Sequence, residues 1–138
     1  MIAIIKAQFN KEITDLLQAG CAAFLDEQKL PYTFFECPGA VETVVYANKL
    51  IQTGKYKSII VIGAIIKGDT DHYEYVCQYV TNGISQLSAL HTIPIIFGIL
   101  TVQTEELAYE RAAIDRMNKG KEFGETAAFM IEAFKKLG

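Results

Sequence analysis

The densest chemistry in this 138-residue chain lies in one short segment, Gly63-Ala64-Ile65-Ile66-Lys67-Gly68-Asp69-Thr70-Asp71-His72. It passes from an apolar run into a polar loop that opens a helical pattern. Free N–H groups at a helix start can hold a phosphate, helped by the helix dipole. An imidazole in the first turn, here His72, is suited to moving protons near neutral pH. A plainer explanation stands beside this one, because Asp69, Thr70 or Asp71 could simply cap the helix. Other residues carry the same double reading. Phe9, next to Asn10, is either core or a face on which a flat heterocycle stacks. Glu42, shortly after Pro38-Gly39, is either a first-turn dipole partner or a ligand for hydroxyl groups. Arg111 follows Glu110 on a helix and by default faces solvent, and His91 reads as a surface or helix-ending residue. No GxxxxGK[ST] and no GxGxxG occurs, so the usual cradles for nucleoside triphosphates and dinucleotides are missing.

The elements that must position these residues follow from periodicity. Strands are expected at Ile2–Ala7, Tyr32–Cys37, Ser58–Ile66 and Ile93–Leu100. Helices are expected at Glu12–Gln28, Ala40–Gln52 (closed by Gly54), His72–Leu90, Thr104–Arg116 and Phe123–Leu137. The third and fourth strands are apolar throughout, as in a parallel sheet buried on both faces. Four strand–helix alternations predict an α/β fold, a four-stranded parallel sheet with helices on both faces. One domain, residues 1–138, is expected. Ligands of such sheets bind beyond the carboxyl ends of the strands. That rule selects Phe9-Asn10, Pro38 to Glu42, Lys67 to His72, and Thr101.

Composition narrows the function classes. The chain is 51% hydrophobic, with mean hydropathy +0.19, apolar enough that a partner subunit is expected to cover part of the surface. No apolar run approaches the roughly 20 residues of a membrane helix, and no leader pattern opens the chain, so a cytoplasmic protein is expected. Net charge is −3, without a basic stripe, which argues against nucleic acid. Cys21, Cys37 and Cys77 are odd in number and lack CxxC spacing, so neither disulfides nor a zinc site is expected.

Six segments taken together resemble the 6,7-dimethyl-8-ribityllumazine synthase family. They are Phe9-Asn10, Pro38-Gly39-Ala40-Val41-Glu42, Gly63 to His72, Pro94 to Thr101, Glu110-Arg111-Ala112 and Asn118-Lys119-Gly120. The Gly63–His72 block is the most specific, and the six cover nearly the whole chain in order. The resemblance implies a cofactor-free, metal-free condensation of 5-amino-6-(ribitylamino)uracil with 3,4-dihydroxy-2-butanone 4-phosphate. It implies that Phe9 stacks on the pyrimidine, and that Ala64, Ile65 and Ile66 offer backbone groups to its edge. Ala40, Val41 and Glu42 would hold the ribityl chain, Asp69 and Thr70 the phosphate, and His72 would shuttle protons. Phe97 and Arg111 would arrive from a neighbouring subunit, Arg111 as a planar fork on phosphate.

With the resemblance, a flavodoxin-like three-layer sandwich is expected, its four-stranded parallel sheet in the order 2-1-3-4, and a homopentamer, in some relatives packed further into a 60-subunit shell. Because the sequence opens directly on strand one, without the segment that relatives lend to a neighbour, an isolated pentamer is the expectation. Gln8 and Lys67 stand where the family commonly has Arg, Asp69 where it is often small, and Asp115 where Lys is common. Two other readings fit the same residues: an archaeal-type riboflavin synthase, and a non-catalytic paralogue that binds flavin or lumazine.

Overall fold

The computed structural model describes residues 1–138. The elements run β1 (Ile2–Ala7), α1 (Lys11–Glu27), β2 (Tyr32–Cys37), α2 (Ala40–Thr53), β3 (Ser58–Ile66), α3 (His72–Leu90), β4 (Ile95–Val102), α4 (Glu105–Ala112) and α5 (Lys119–Leu137). All pairings are parallel, as the alternation predicts, and the strand order is the expected β2-β1-β3-β4. Alternate side chains of the sheet feed two cores. Ile2, Ile4, Ile60, Ile62 and Leu100 pack with Leu17, Leu25, Ala112 and Ala127 on the side of α1, α4 and α5. Ala3, Ile5, Ile59, Val61 and Ile99 pack with Ala47, Leu50, Val80 and Ile84 on the side of α2 and α3. The central strand β3 is buried from Ser58 to Ile65, which explains its unbroken apolar sequence.

The strands are of unequal length, and this creates a site. Pairing between β1 and β3 ends at Lys6–Ile62, whereas β3 continues to Ile66 alongside β4. The backbone edge of β3 beyond Ile62 therefore has no strand beside it on the β1 side. At the opposite pole Gly54 closes α2, as expected, in the left-handed conformation (φ 69°) of a helix-ending glycine.

Three elements differ by two residues or more from the bounds expected from the sequence. β4 begins and ends two residues later than Ile93–Leu100, so Thr101 lies inside the strand rather than past it. Pro94 has no N–H to give; its carbonyl accepts from Ile59 N and Ser58 Oγ ahead of the strand, and Lys67 N extends the ladder to Val102 O. Helix α4 is capped by Thr104 Oγ1, which accepts from Leu107 N at 3.1 Å, but stops at Ala112 rather than Arg116. Ala113 is extended (ψ 137°), and its carbonyl receives the N–H groups of both Arg116 and Asn118 in a tight turn. Helix α5 then starts at Lys119, four residues before Phe123. A Cβ at Gly120 would lie 2.0 Å from the Leu17 carbonyl oxygen, so α1 and α5 touch backbone to backbone there.

Candidate functional site

Each residue of the Phe9 turn is tied to a different element. Gln8 N donates to Cys37 O (2.9 Å) and Phe9 N to Pro38 O (3.0 Å), so the turn hangs on the end of β2. Asn10 adopts the left-handed conformation (φ 59°, ψ 49°), which its short polar side chain tolerates, and precedes α1. Its side-chain amide donates to Ala64 O at 2.8 Å, on the open edge of β3. With the backbone so held, the ring of Phe9 is 70% exposed. That exposure excludes the core reading of Phe9.

The ring overhangs a cleft of about 500 Å³, within the size range of small-molecule sites. Phe9, Ala40, Val41, Glu42, Ala64, Ile65, Ile66, Thr70 and His72 all line it, brought together from the ends of β1, β2 and β3. Gly39, Gly68, Tyr73 and Val76 complete the lining. Gly39 and Gly68 lie inside the motifs already singled out. Tyr73 and Val76 carry no motif, and only their places one and four residues after His72 on α3 could have marked them. The phenol of Tyr73 is held above its ordinary range, by burial first and by nearby Cys77 second.

The loop into α3 is less self-satisfied than simple capping would require. The carboxylates of Asp69 and Asp71 make no cap; only Thr70 Oγ1 accepts, from His72 N at 3.3 Å. The N–H groups of Gly68, Asp69, Thr70 and Asp71 have no acceptor within the chain. Four exposed donors near a helix start make a concavity suited to an anion. Asp69 itself is exposed and stands outside the cleft lining.

On the far wall, Gly39 precedes α2 in an extended conformation, and a Cβ there would meet Glu42 Oε1 at 3.1 Å. Behind this turn the Cys37 thiol donates to Gly39 O at 3.4 Å. Burial, with Glu42 nearby, pushes that thiol up to about 11, and burial alone pushes Cys21 up to about 12. All three cysteines are free, and neither buried thiol is an available nucleophile.

Phe97 and Arg111 do not line the cleft of their own chain. Phe97, in the middle of β4 and 40% exposed, borders a second hollow of about 550 Å³ with Ile95, Phe123 and Met130. Arg111 is half-buried on α4 and donates to Leu107 O one turn back (3.2 Å). His91 ends α3, with its N–H on Leu87 O (3.0 Å). No group of three or more His, Cys, Asp or Glu side chains is arranged to hold a metal, and no helix is long and apolar enough to cross a membrane.

A flavodoxin-like sheet with an apolar, anion-ready cleft at its carboxyl end defines an α/β enzyme of small-molecule chemistry. The 6,7-dimethyl-8-ribityllumazine synthase family model matches residues 1–135, and the chain belongs to that family of riboflavin-biosynthesis enzymes. Among its relatives is the 6,7-dimethyl-8-ribityllumazine synthase of Coxiella burnetii (strain Dugway 5J108-111), 39% identical over 99% of this chain and 92% of the relative. The proteins of the same name from strains CbuG_Q212 and RSA 493 / Nine Mile phase I are 38% identical over the same shares.

Proposed function

We propose that this chain is a lumazine synthase, condensing 5-amino-6-(ribitylamino)uracil with 3,4-dihydroxy-2-butanone 4-phosphate. The products are 6,7-dimethyl-8-ribityllumazine, phosphate and water. The observation that carries this reading is the single cleft in which a stacking face, an open strand edge, unpartnered N–H groups and an imidazole meet.

Phe9 stacks on the pyrimidine, whose edge faces the backbone of Ala64, Ile65 and Ile66. The Ala64 carbonyl already accepts from Asn10, so it offers only its second lone pair. Ala40, Val41 and Glu42 border the ribityl chain. The N–H groups of Asp69 and Thr70, with the Thr70 hydroxyl, take the phosphate. The amine adds to the ketone and loses water as the imine. His72 then moves the proton whose departure expels phosphate, and the ribitylamino nitrogen closes the ring with loss of a second water. No cofactor or metal enters these steps. Holding two substrates in register supplies most of the rate enhancement.

Phe97 and Arg111 complete the site from a neighbouring copy in a homopentamer in the cytoplasm. Exposed apolar residues support that assembly: Tyr75, Tyr79, Ile114, Phe129 and Leu137 are all at least half exposed in the lone chain. Light scattering after size exclusion should give a mass near five subunits, and a monomer would remove Phe97 and Arg111 from the site. The reaction itself is tested by incubating the protein with both substrates. Lumazine and inorganic phosphate should appear in equal amounts. Turnover of lumazine alone would instead indicate a riboflavin synthase, and bound chromophore without turnover a binding protein.

A further inference from the structure

Beside the cleft, but outside it, a buried charge is unaccounted for by the proposed chemistry. Lys6 is only 5% exposed, on the face of β1 that packs against α1. A lysine is rarely buried unless paired, because desolvating its ammonium is costly. Its ammonium binds Asp15 Oδ1, in the second turn of α1. Asp15 Oδ2 accepts a second ammonium, from Lys11 at 2.9 Å. Each carboxylate oxygen therefore holds one lysine, one from before the Phe9 turn and one from after it.

Only Gln8, Phe9 and Asn10 lie between Ala7, the last residue of β1, and Lys11, the first of α1. The turn is also fastened to β2, through Gln8 Nε2 to Glu36 Oε2 (2.9 Å) and the two backbone bonds, and to β3 through Asn10. The third side, the angle between β1 and α1, is closed by Lys6–Asp15. Phe9, with its ring mostly in solvent, has little packing of its own to fix its direction. We infer that Lys6 and Asp15 are positioning residues, whose ion pair, buried at the lysine and half-exposed at the aspartate, sets the direction of the Phe9 ring over the cleft. The inference rests on the reading of Phe9 as the pyrimidine-stacking face.

The chain has no tryptophan, so Phe9→Trp places a single fluorescent reporter at the site. Time-resolved anisotropy of the intact Phe9→Trp protein should show a slowly reorienting indole. Adding Asp15→Asn should at least double the amplitude of fast local motion. Asp15→Asn leaves an ammonium buried without its partner and could unfold the chain. The decisive variant is therefore Lys6→Met with Asp15→Leu, which removes both charges and leaves apolar packing. It should stay folded and yet show the same loosening, while Lys11→Met, removing only the exposed arm, should not. An indole that stays slow in the double variant overturns the inference.

Without the reporter, the double variant should raise KM for the ribitylaminouracil about fivefold, the scale of one lost aromatic contact. KM for the butanone phosphate should stay within twofold. A rise shared equally by both substrates also overturns it, since that marks general damage. The anisotropy needs no substrate, so an inactive wild-type protein with the predicted loosening would fail the functional reading alone.

Discussion

Asn10 and Ala64, 54 residues apart in sequence, are joined by a 2.8 Å hydrogen bond from the asparagine amide to the backbone carbonyl. The bond links the turn that carries Phe9 to the open edge of β3, so the roof and the floor of the cleft move together. Asn10 is suited to this twice over, by its amide and by its tolerance of a left-handed backbone. Asn10→Gly keeps the backbone but loses the bond, at about 1 kcal/mol. Asn10→Ala loses both, adding roughly 1 kcal/mol of backbone strain. Urea unfolding should rank wild type above Asn10→Gly and Asn10→Gly above Asn10→Ala. Equal stability of the two variants would remove the backbone argument.

Because Phe9 is mostly exposed, removing its ring should barely alter folding. Phe9→Ala should change unfolding free energy by less than about 0.5 kcal/mol, as for other surface positions. It should nonetheless weaken pyrimidine binding by roughly 0.5–1.5 kcal/mol, while Phe9→Trp retains it. Denaturant titration and KM for the ribitylaminouracil separate the two effects. A loss of several kcal/mol in folding would restore the core role.

Arg111 spends its one hydrogen bond on the Leu107 carbonyl of its own helix, a contact easily exchanged for a phosphate. Arg111→Ala should lower kcat/KM for the butanone phosphate by an amount on the order of 2–4 kcal/mol in transition-state binding. Arg111→Lys should recover part of that, lacking the planar fork. Thermal unfolding of the subunit should hardly change. An unaltered kcat/KM would return Arg111 to the solvated helix face.

The Asp15 carboxyl is held below the usual carboxylate range by its hydrogen bonds from Lys6 and then Lys11. A lowered carboxyl stabilises the fold above its unfolded value, about 3.9, and this contribution is lost as pH falls through the folded value. Tm should therefore drop between pH 5 and acid conditions more steeply in wild type than in Asp15→Asn, which has nothing to titrate there. Parallel acid limbs in the two proteins would contradict the assignment.

The fold was legible because β3 and the helical stripes are consistent with one another at every level. An apolar run from Ile59 to Ile66 fits a strand buried on both faces, and the strand-end rule then gathers Phe9, Glu42 and His72 from the sequence. The boundaries of β4, α4 and α5 are not legible there, because bonds and contacts outside the strand and helix periodicities set them. Lys67 N extends β4, the Ala113 carbonyl collects two N–H groups, and Gly120 admits the backbone of Leu17. Tyr73 and Val76 carry no motif and enter the cleft only through the rotation of α3. The Lys6–Asp15 pair was invisible for a related reason. A lysine in an apolar strand reads as an exposed edge position until the helix opposite is known to bring a carboxylate.

In the proposed pentamer each catalytic centre draws on two copies, with His72 from one chain and Arg111 from the next. Complementation between inactive variants tests this most directly. His72→Ala and Arg111→Ala proteins, each assembled alone, should retain only a small fraction of wild-type lumazine formation. Co-expressed and randomly mixed in a ring, they should regain up to about a quarter of it, since one site in four draws both native residues. Activity in the mixed oligomer no higher than the average of the two separate variants would contradict a shared site.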